Sequence, residues 1–229
     1  MKKTLLLLIC FLFQLSTFAN VESTLIKENS IQTRINSVGN KILNSNMFDK
    51  RVVFVYDEKG KKSILKEDKA ITKRQVVVFG DAYRNIENDD ELAAYIARGI
   101  PAAIRSYKGG TGLFSSIKMK AAPKKYELVF DKLAVDYMVK AGYNPLGLIS
   151  YVNKTCPQAR QDKISGHNLT SKRLAYIYEK IYTQYPSFLV NNTYLKNEYY
   201  QNFLLTSLEN RKKVAEKSNN PEVRGIKYE

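Results

Sequence analysis

The sequence has 229 residues, of which 44% are hydrophobic, and 37 Lys and Arg against 22 Asp and Glu give it a net charge of +15. This length and apolar content are sufficient for one sizeable hydrophobic core with an appendage. Of the two cysteines, only Cys156 lies outside the first 19 residues, so removal of that segment would exclude an intramolecular disulfide.

The first 19 residues predict a secretory signal peptide. Lys2 and Lys3 precede an apolar run over 5–15, and Thr17 and Ala19 occupy the −3 and −1 positions of a cleavage site. An uncleaved membrane anchor is the alternative, but the apolar run is shorter than the roughly 20 residues of a spanning helix. Cleavage near Ala19 predicts an exported protein, either periplasmic or secreted.

The basic surplus indicates the kind of partner. Cleavage would leave 35 basic against 22 acidic residues, a net charge of +13. For an exported protein this surplus favours an anionic envelope component or an acidic protein as the partner, and not a nucleic acid. The basic residues are dispersed in short runs, which is also typical of a solvated surface. Peripheral contact with a membrane is left open.

The amino-terminal half contains both helix and strand patterns. Residues 20–46 predict a helix because their apolar residues recur at steps of three and four. The run 51–65 predicts a β-hairpin with its turn at 58–60, and 75–81 predicts a third strand. Together these elements predict a mainly helical α+β fold with a small three-stranded antiparallel sheet.

The next predicted helix follows a cap at Asn88 or Asp89. Pro101 removes a hydrogen bond at a cost of about 3 kcal/mol, and Gly99 adds about 1 kcal/mol. We therefore expect this helix to kink or end near Ala97. Its buried face is predicted to carry Leu92, Ala93, Ile96 and Ile100.

The carboxy-terminal half reads as helices. Helical patterns cover 124–140, 145–156 and 170–185, and one or two amphipathic helices with a frayed tail follow Pro186. We interpret 20–182 as one domain and 183–229 as a Tyr-rich helical extension. Three tyrosines of the extension are candidate anchors for a partner, although helical spacing also suits core residues: Tyr194, Tyr199 and Tyr200.

The stretch DELAAYIARGIPAA, residues 90–103, carries the main functional indication. It reads like the start of a zinc-protease active-site helix, in which H-E-x-x-H follows shortly after DELAA. Two histidines at i and i+4 share one helix face and bind the metal, while the Glu accepts a proton from the metal-bound water. Here the corresponding residues are Arg98, Gly99 and Ala102, and a protonated arginine cannot ligate zinc.

Four segments in order resemble parts of one known family. RINSVGNKI resembles its opening helix, and VVVFGDAYRNIENDDELAAYIA resembles the strand, turn and helix that lead into H-E-x-x-H. FDKLAVDYMVKAGYNP resembles its E-A-D helix, and SGHNLTSKRLAYI resembles its S-H-P-x-x-x-x-R segment. This family is the zinc metallopeptidases that include the CAAX prenyl endopeptidase, the heat-shock protease HtpX and periplasmic proteases of the BepA type. The resemblance covers about residues 30–182 and implies a minimal zinc-peptidase fold of the gluzincin-like type.

The resemblance also implies zinc as the cofactor, but the residues that would bind it are absent. The histidine ligands fall at Arg98 and Ala102, the general base at Gly99 and the third ligand at Val129. We therefore predict no metal and no catalytic residues, and we expect Asp131 to pair with Arg98 in the space of the metal or to accept another buried hydrogen bond. Three positions keep the residue of the family: Asp131, His167 and Arg173.

These replacements favour an exported pseudoprotease, a non-catalytic protein that binds a protein or envelope partner. One alternative is an active zinc metalloendopeptidase with rearranged ligands, using His167 and Cys156 with Glu127 or Asp131, although their spacing does not support such a site. Another alternative is a basic protein that binds the envelope surface through its charge. Serine or cysteine hydrolase arrangements match no local signature around His167.

Overall fold

The computed structural model describes residues 27–60, 74–105, 122–156, 161, 163, 166–220 and 227–228. The predicted signal peptide and the second run of the predicted hairpin, residues 61–65, lie outside these ranges. Within these ranges, no helix combines the length and the apolar character that crossing a membrane requires.

Helix α1, described from residue 27 to residue 45, covers the strand that follows it. The Tyr56 N–H donates to Oε1 of Gln32 at 2.7 Å, and Nε2 of Gln32 donates to the Phe54 carbonyl at 3.1 Å. The ring of Phe54 occupies the space that a side chain at Gly39 would need, so helix and strand approach closely there. The predicted apolar stripe is buried, through Ile31, Ile35, Val38 and Ile42.

Two strands, β1 (Val53–Asp57) and β2 (Gln75–Phe79), form a parallel pair. Val53 lies opposite Gln75, and the register continues to Asp57 opposite Phe79. The predicted antiparallel arrangement is therefore wrong for these two strands. Apolar and β-branched runs identify strands, but the direction in which two strands pair depends on the connection between them and on what covers the sheet.

The short helix α2 (Gly80–Tyr83) follows β2 directly and leads to α3 (Asp89–Arg105). Oδ1 of Asn88 accepts a hydrogen bond from the Glu91 N–H at 2.9 Å, which confirms the predicted cap. Of the two predicted outcomes, a kink or an end near Ala97, the end is wrong, because α3 continues through Pro101. Burial of Ile100, Pro101 and Ala103 offsets the lost backbone hydrogen bond. The predicted buried face is confirmed at Leu92, Ala93, Ile96 and Ile100.

Three further helices agree with the predicted pattern: α4 (Pro123–Lys140), α5 (Leu146–Thr155) and α6 (Thr170–Gln184). Gly142 ends the first of them with a φ of 73°, a conformation that glycine adopts without steric cost. The N–H of Tyr143 then donates back to the Met138 carbonyl at 2.9 Å. Helix α3 packs against α4, α5 and β2, so its side chains meet three different neighbours.

The carboxy-terminal segment forms α7 (Ser187–Val190), α8 (Glu198–Thr206) and α9 (Leu208–Asn219). Helix α8 packs on α5, and Tyr194, Tyr200 and Phe203 belong to the same core as the helices that precede them. Tyr194 and Tyr200 are only 6% and 1% exposed, so they are core residues and not anchors for a partner. A smaller cluster joins the end of the chain to α6 and α9 through Ala175, Val214 and Tyr228.

Candidate functional site

The packing of α3 against α4 brings Arg98 and Asp131 into contact. Nε of Arg98 donates a hydrogen bond to Oδ1 of Asp131 at 2.6 Å. The side chain of Asp131 is fully buried, and that of Arg98 is 21% exposed. The expected pairing of these two residues is therefore confirmed.

Helix α6 adds a second guanidinium to the same carboxylate. Nε of Arg173 donates to Oδ2 of Asp131 at 2.8 Å, and its Nη2 donates to Oδ1 at 3.0 Å. Burial by itself would raise the pKa of Asp131, but the charges of the two arginines outweigh it and lower this pKa. Asp131 is consequently ionised at neutral pH and is held by both guanidinium groups. We call Arg98, Asp131 and Arg173 the arginine–aspartate cluster.

The cluster extends to α5 through Cys156. Nη1 of Arg173 lies 3.1 Å from Sγ of Cys156, so one guanidinium connects the carboxylate to the thiol. Burial by itself would lower the pKa of Arg173, but Asp131 raises this pKa well above its ordinary value. Arg173 therefore keeps its charge although its side chain is only 5% exposed.

Tyr151 of α5 lies on the Arg98 side of the cluster. Burial raises the pKa of Tyr151 to about 12, and the positive charge of Arg98 opposes this rise. The ring of Tyr151 meets that of Tyr95 edge to face, with centroids 5.9 Å apart, and the Tyr95 hydroxyl donates to the Val77 carbonyl at 2.8 Å. The contact with Tyr95 fixes the ring of Tyr151.

The other positions of the former motif are not brought into the cluster. A Cβ at Gly99 would lie 2.7 Å from Cγ1 of Val76, so this position faces β2 and leaves no room for the glutamate of H-E-x-x-H. Ala102 is half-buried on α3, and Val129 of α4 is 46% exposed. The structure therefore does not assemble Arg98, Gly99, Ala102 and Val129 around a common point.

The carboxylate of α4 that accompanies Asp131 is Glu127. Its Oε1 lies 2.7 Å from Nδ1 of His167, and its Oε2 accepts a hydrogen bond from the Asn168 N–H at 2.9 Å. Its negative charge also contributes to the raised pKa of Arg173. Glu127 precedes Asp131 by four residues, so both carboxylates lie on one helix face. The assignment of the third ligand to Val129 overlooked this spacing.

His167 lies at the rim and not in the interior. Its side chain is 69% exposed, and its contact with Glu127 joins α4 to the loop before α6. The structure gives His167 a surface hydrogen bond to a carboxylate and does not place it against Asp131.

The residues of this site do not fit a zinc ion. In the described part of the chain, no group of three or more His, Cys, Asp and Glu side chains stands close enough to hold a metal. Both oxygens of Asp131 already accept hydrogen bonds from guanidinium groups, and two positive charges beside the carboxylate would repel a divalent cation. The site can instead bind negative charge.

No protein-family model, no curated protein and no solved structure matches this chain.

Proposed function

We propose that this chain is an exported, non-catalytic protein with the minimal zinc-peptidase fold of the gluzincin-like type, and that it binds a protein or an anionic envelope component. One observation carries the proposal. Arg98, which the resemblance aligns with a metal ligand, donates a hydrogen bond to the buried carboxylate of Asp131.

The state of Asp131 argues against hydrolysis at this site. A general base must accept a proton near the operating pH, and the lowered pKa of Asp131 makes it a poor acceptor. Its oxygens also accept hydrogen bonds from Arg98 and Arg173, which compete with a water molecule for the same lone pairs. By the resemblance, Arg98 thus stands in place of a metal ligand and Gly99 in place of the general base.

The contact of Glu127 with His167 is the feature that best supports the alternative, an active zinc metalloendopeptidase with rearranged ligands. A metallopeptidase with rearranged ligands would need a third donor beside this pair. The Glu127 carboxylate is already engaged by His167 and Asn168, and Cys156 contacts Arg173. These contacts support a structural role for Glu127, which joins α4 to the loop before α6.

Metal analysis together with a peptidase assay tests the proposal. We expect the purified chain beginning at Asn20 to retain no stoichiometric zinc after incubation with zinc chloride and dialysis, and to leave unfolded casein intact. A zinc peptidase treated in the same way serves as the positive control. Stoichiometric zinc together with chelator-sensitive cleavage that His167→Ala abolishes would instead establish the rearranged metalloendopeptidase.

A further inference from the structure

Arg98 uses only part of its hydrogen-bonding capacity. Its Nε donates to Asp131, and within the described part of the chain its Nη1 and Nη2 make no hydrogen bond. A guanidinium has five N–H donors in a rigid fork, so the edge formed by Nη1 and Nη2 keeps the geometry that suits a carboxylate. The side chain is 21% exposed, so part of it reaches solvent.

The rest of the cluster holds that edge in place. Asp131 is fixed on its other side by the two hydrogen bonds from Arg173, so it acts as a rigid anchor for Nε of Arg98. The cluster contains two guanidinium charges and one buried carboxylate, which leaves one positive charge in excess. Glu127 contributes to the field at Arg173, and its carboxylate contacts His167 at the rim.

A preorganised donor with an excess charge binds anions better than a mobile surface arginine does, because less side-chain entropy is lost on binding. The neighbouring Tyr151 is 6% exposed and is fixed by its contact with Tyr95, so it gives the site an apolar wall. Partial burial lowers the local dielectric constant and strengthens the attraction between opposite charges.

We propose that the Nη1–Nη2 edge of Arg98 is a recognition site for a carboxylate group of a protein partner. This inference rests on the proposed function, since it identifies the chemistry by which the non-catalytic protein would bind. At the position that the resemblance aligns with a metal ligand, Arg98 then binds the carboxylate directly. The carboxylate belongs either to the carboxy-terminus of the partner or to an Asp or Glu side chain.

The two sources are distinguished with short peptides. The probes are N-acetyl-triglycine with a free carboxylate, its carboxamide, and an N-acetylated Gly-Asp-Gly carboxamide. Binding is followed by nuclear magnetic resonance of the arginine guanidinium nitrogens in the full chain beginning at Asn20. We expect the Arg98 signals to shift with at least one carboxylate probe and not with the uncharged carboxamide, and the responding probe identifies the source.

Three variants separate this site from general electrostatics. Arg98→Met removes the fork, and we expect binding to weaken by about ten-fold or more. Arg98→Lys keeps the charge but supplies its ammonium group to Asp131, so it should weaken binding similarly and preserve the fold if the methionine variant does not. Arg105→Met removes the same charge from the same helix at an exposed position and should bind as the unmodified chain does.

Equal binding of the carboxamide, unchanged binding by Arg98→Lys, or no binding by any probe would overturn the inference. Loss of binding in Arg105→Met equal to that in Arg98→Met would overturn it as well. Failure of the proposed function has a different signature, since zinc uptake and casein cleavage would reveal it whatever the peptides do.

Discussion

Arg98 and Asp131 stand 33 residues apart in the chain, yet Nε of the first lies 2.6 Å from Oδ1 of the second. The contact joins the central helix α3 to α4 and is completed by Arg173 from α6. Three helices thus converge on a single buried carboxylate, and the stability of this arrangement can be measured separately from any binding activity.

The two partners of this contact are predicted to differ in their importance. Asp131→Asn leaves two guanidinium groups without their anion, so we expect a loss of about 3–5 kcal/mol in the free energy of unfolding. Arg98→Met leaves Asp131 paired with Arg173, and its cost should be smaller, about 1–3 kcal/mol. Urea unfolding measures both values. The control is Asp49→Asn, in an exposed pair with Lys50, and equal losses for the first two variants would contradict the shared-anchor geometry.

Acid should weaken the fold through Asp131. Its pKa in the folded protein is lowered below the ordinary value of about 3.9 that it has when unfolded. Its contribution to stability is therefore fully present above pH ~4 and is lost as the pH falls through the folded pKa. Unfolding free energies measured from pH 6 down to pH 3 should fall more steeply in the unmodified protein than in Asp131→Asn. Parallel curves would show that this carboxylate does not carry the pH dependence.

Gly99 is predicted to resist even a single added methyl group. Alanine in a helix ordinarily stabilises by roughly 0.5–1 kcal/mol over glycine, but a Cβ here would lie 2.7 Å from Cγ1 of Val76. Gly99→Ala should therefore destabilise the protein by about 1–3 kcal/mol. Thermal unfolding should show that Val76→Ala lowers stability less in the Gly99→Ala background than alone, because it removes the methyl group with which the new Cβ clashes. Gly166→Ala is the matched control, since nothing lies within 4 Å of its Cβ.

The buried pair of Lys154 and Glu91 is predicted to be a second stability centre. Nζ of Lys154 lies 3.0 Å from Oε2 of Glu91, with side chains 6% and 0% exposed. Ser150 donates to the other oxygen of Glu91 at 2.8 Å. Lys154→Met would leave a buried carboxylate without a cation and should cost about 3–5 kcal/mol.

The comparison for this variant is Lys212→Met, which breaks a pair on α9 whose members are 63% and 74% exposed. An exposed pair contributes less than about 1 kcal/mol. Denaturant unfolding of both variants gives the two values directly. Similar small losses would show that this buried ion pair does not stabilise the fold more than an exposed one does.

The helices of this fold could be predicted from the sequence because their apolar repeats have one strong period. The stripe from Ile31 to Ile42 and the buried face of α3 both follow this rule. The pairing of Arg98 with Asp131 could also be predicted, since a partly buried cation needs an anion and the segment around residue 131 supplies one. In both cases local pattern and tertiary packing point to the same structure.

Other features depended on contacts that a single sequence does not reveal. The parallel pairing of β1 with β2 is set by the path of the chain between them and not by the strands themselves. Helix α3 continues through Pro101 because the burial of Ile100, Pro101 and Ala103 offsets the low helix propensity of proline. Counting residues along the E-A-D motif assigned the third ligand to Val129. In the helix, Glu127 and Asp131 lie on one face because they are four residues apart.

The burial of Phe203 with Tyr194 and Tyr200 also constrains the order of events during synthesis. The surface of α5 that these rings cover stays open to water until the last fifth of the polypeptide has emerged. This part of the core can therefore be completed only after the carboxy-terminal helices have been made.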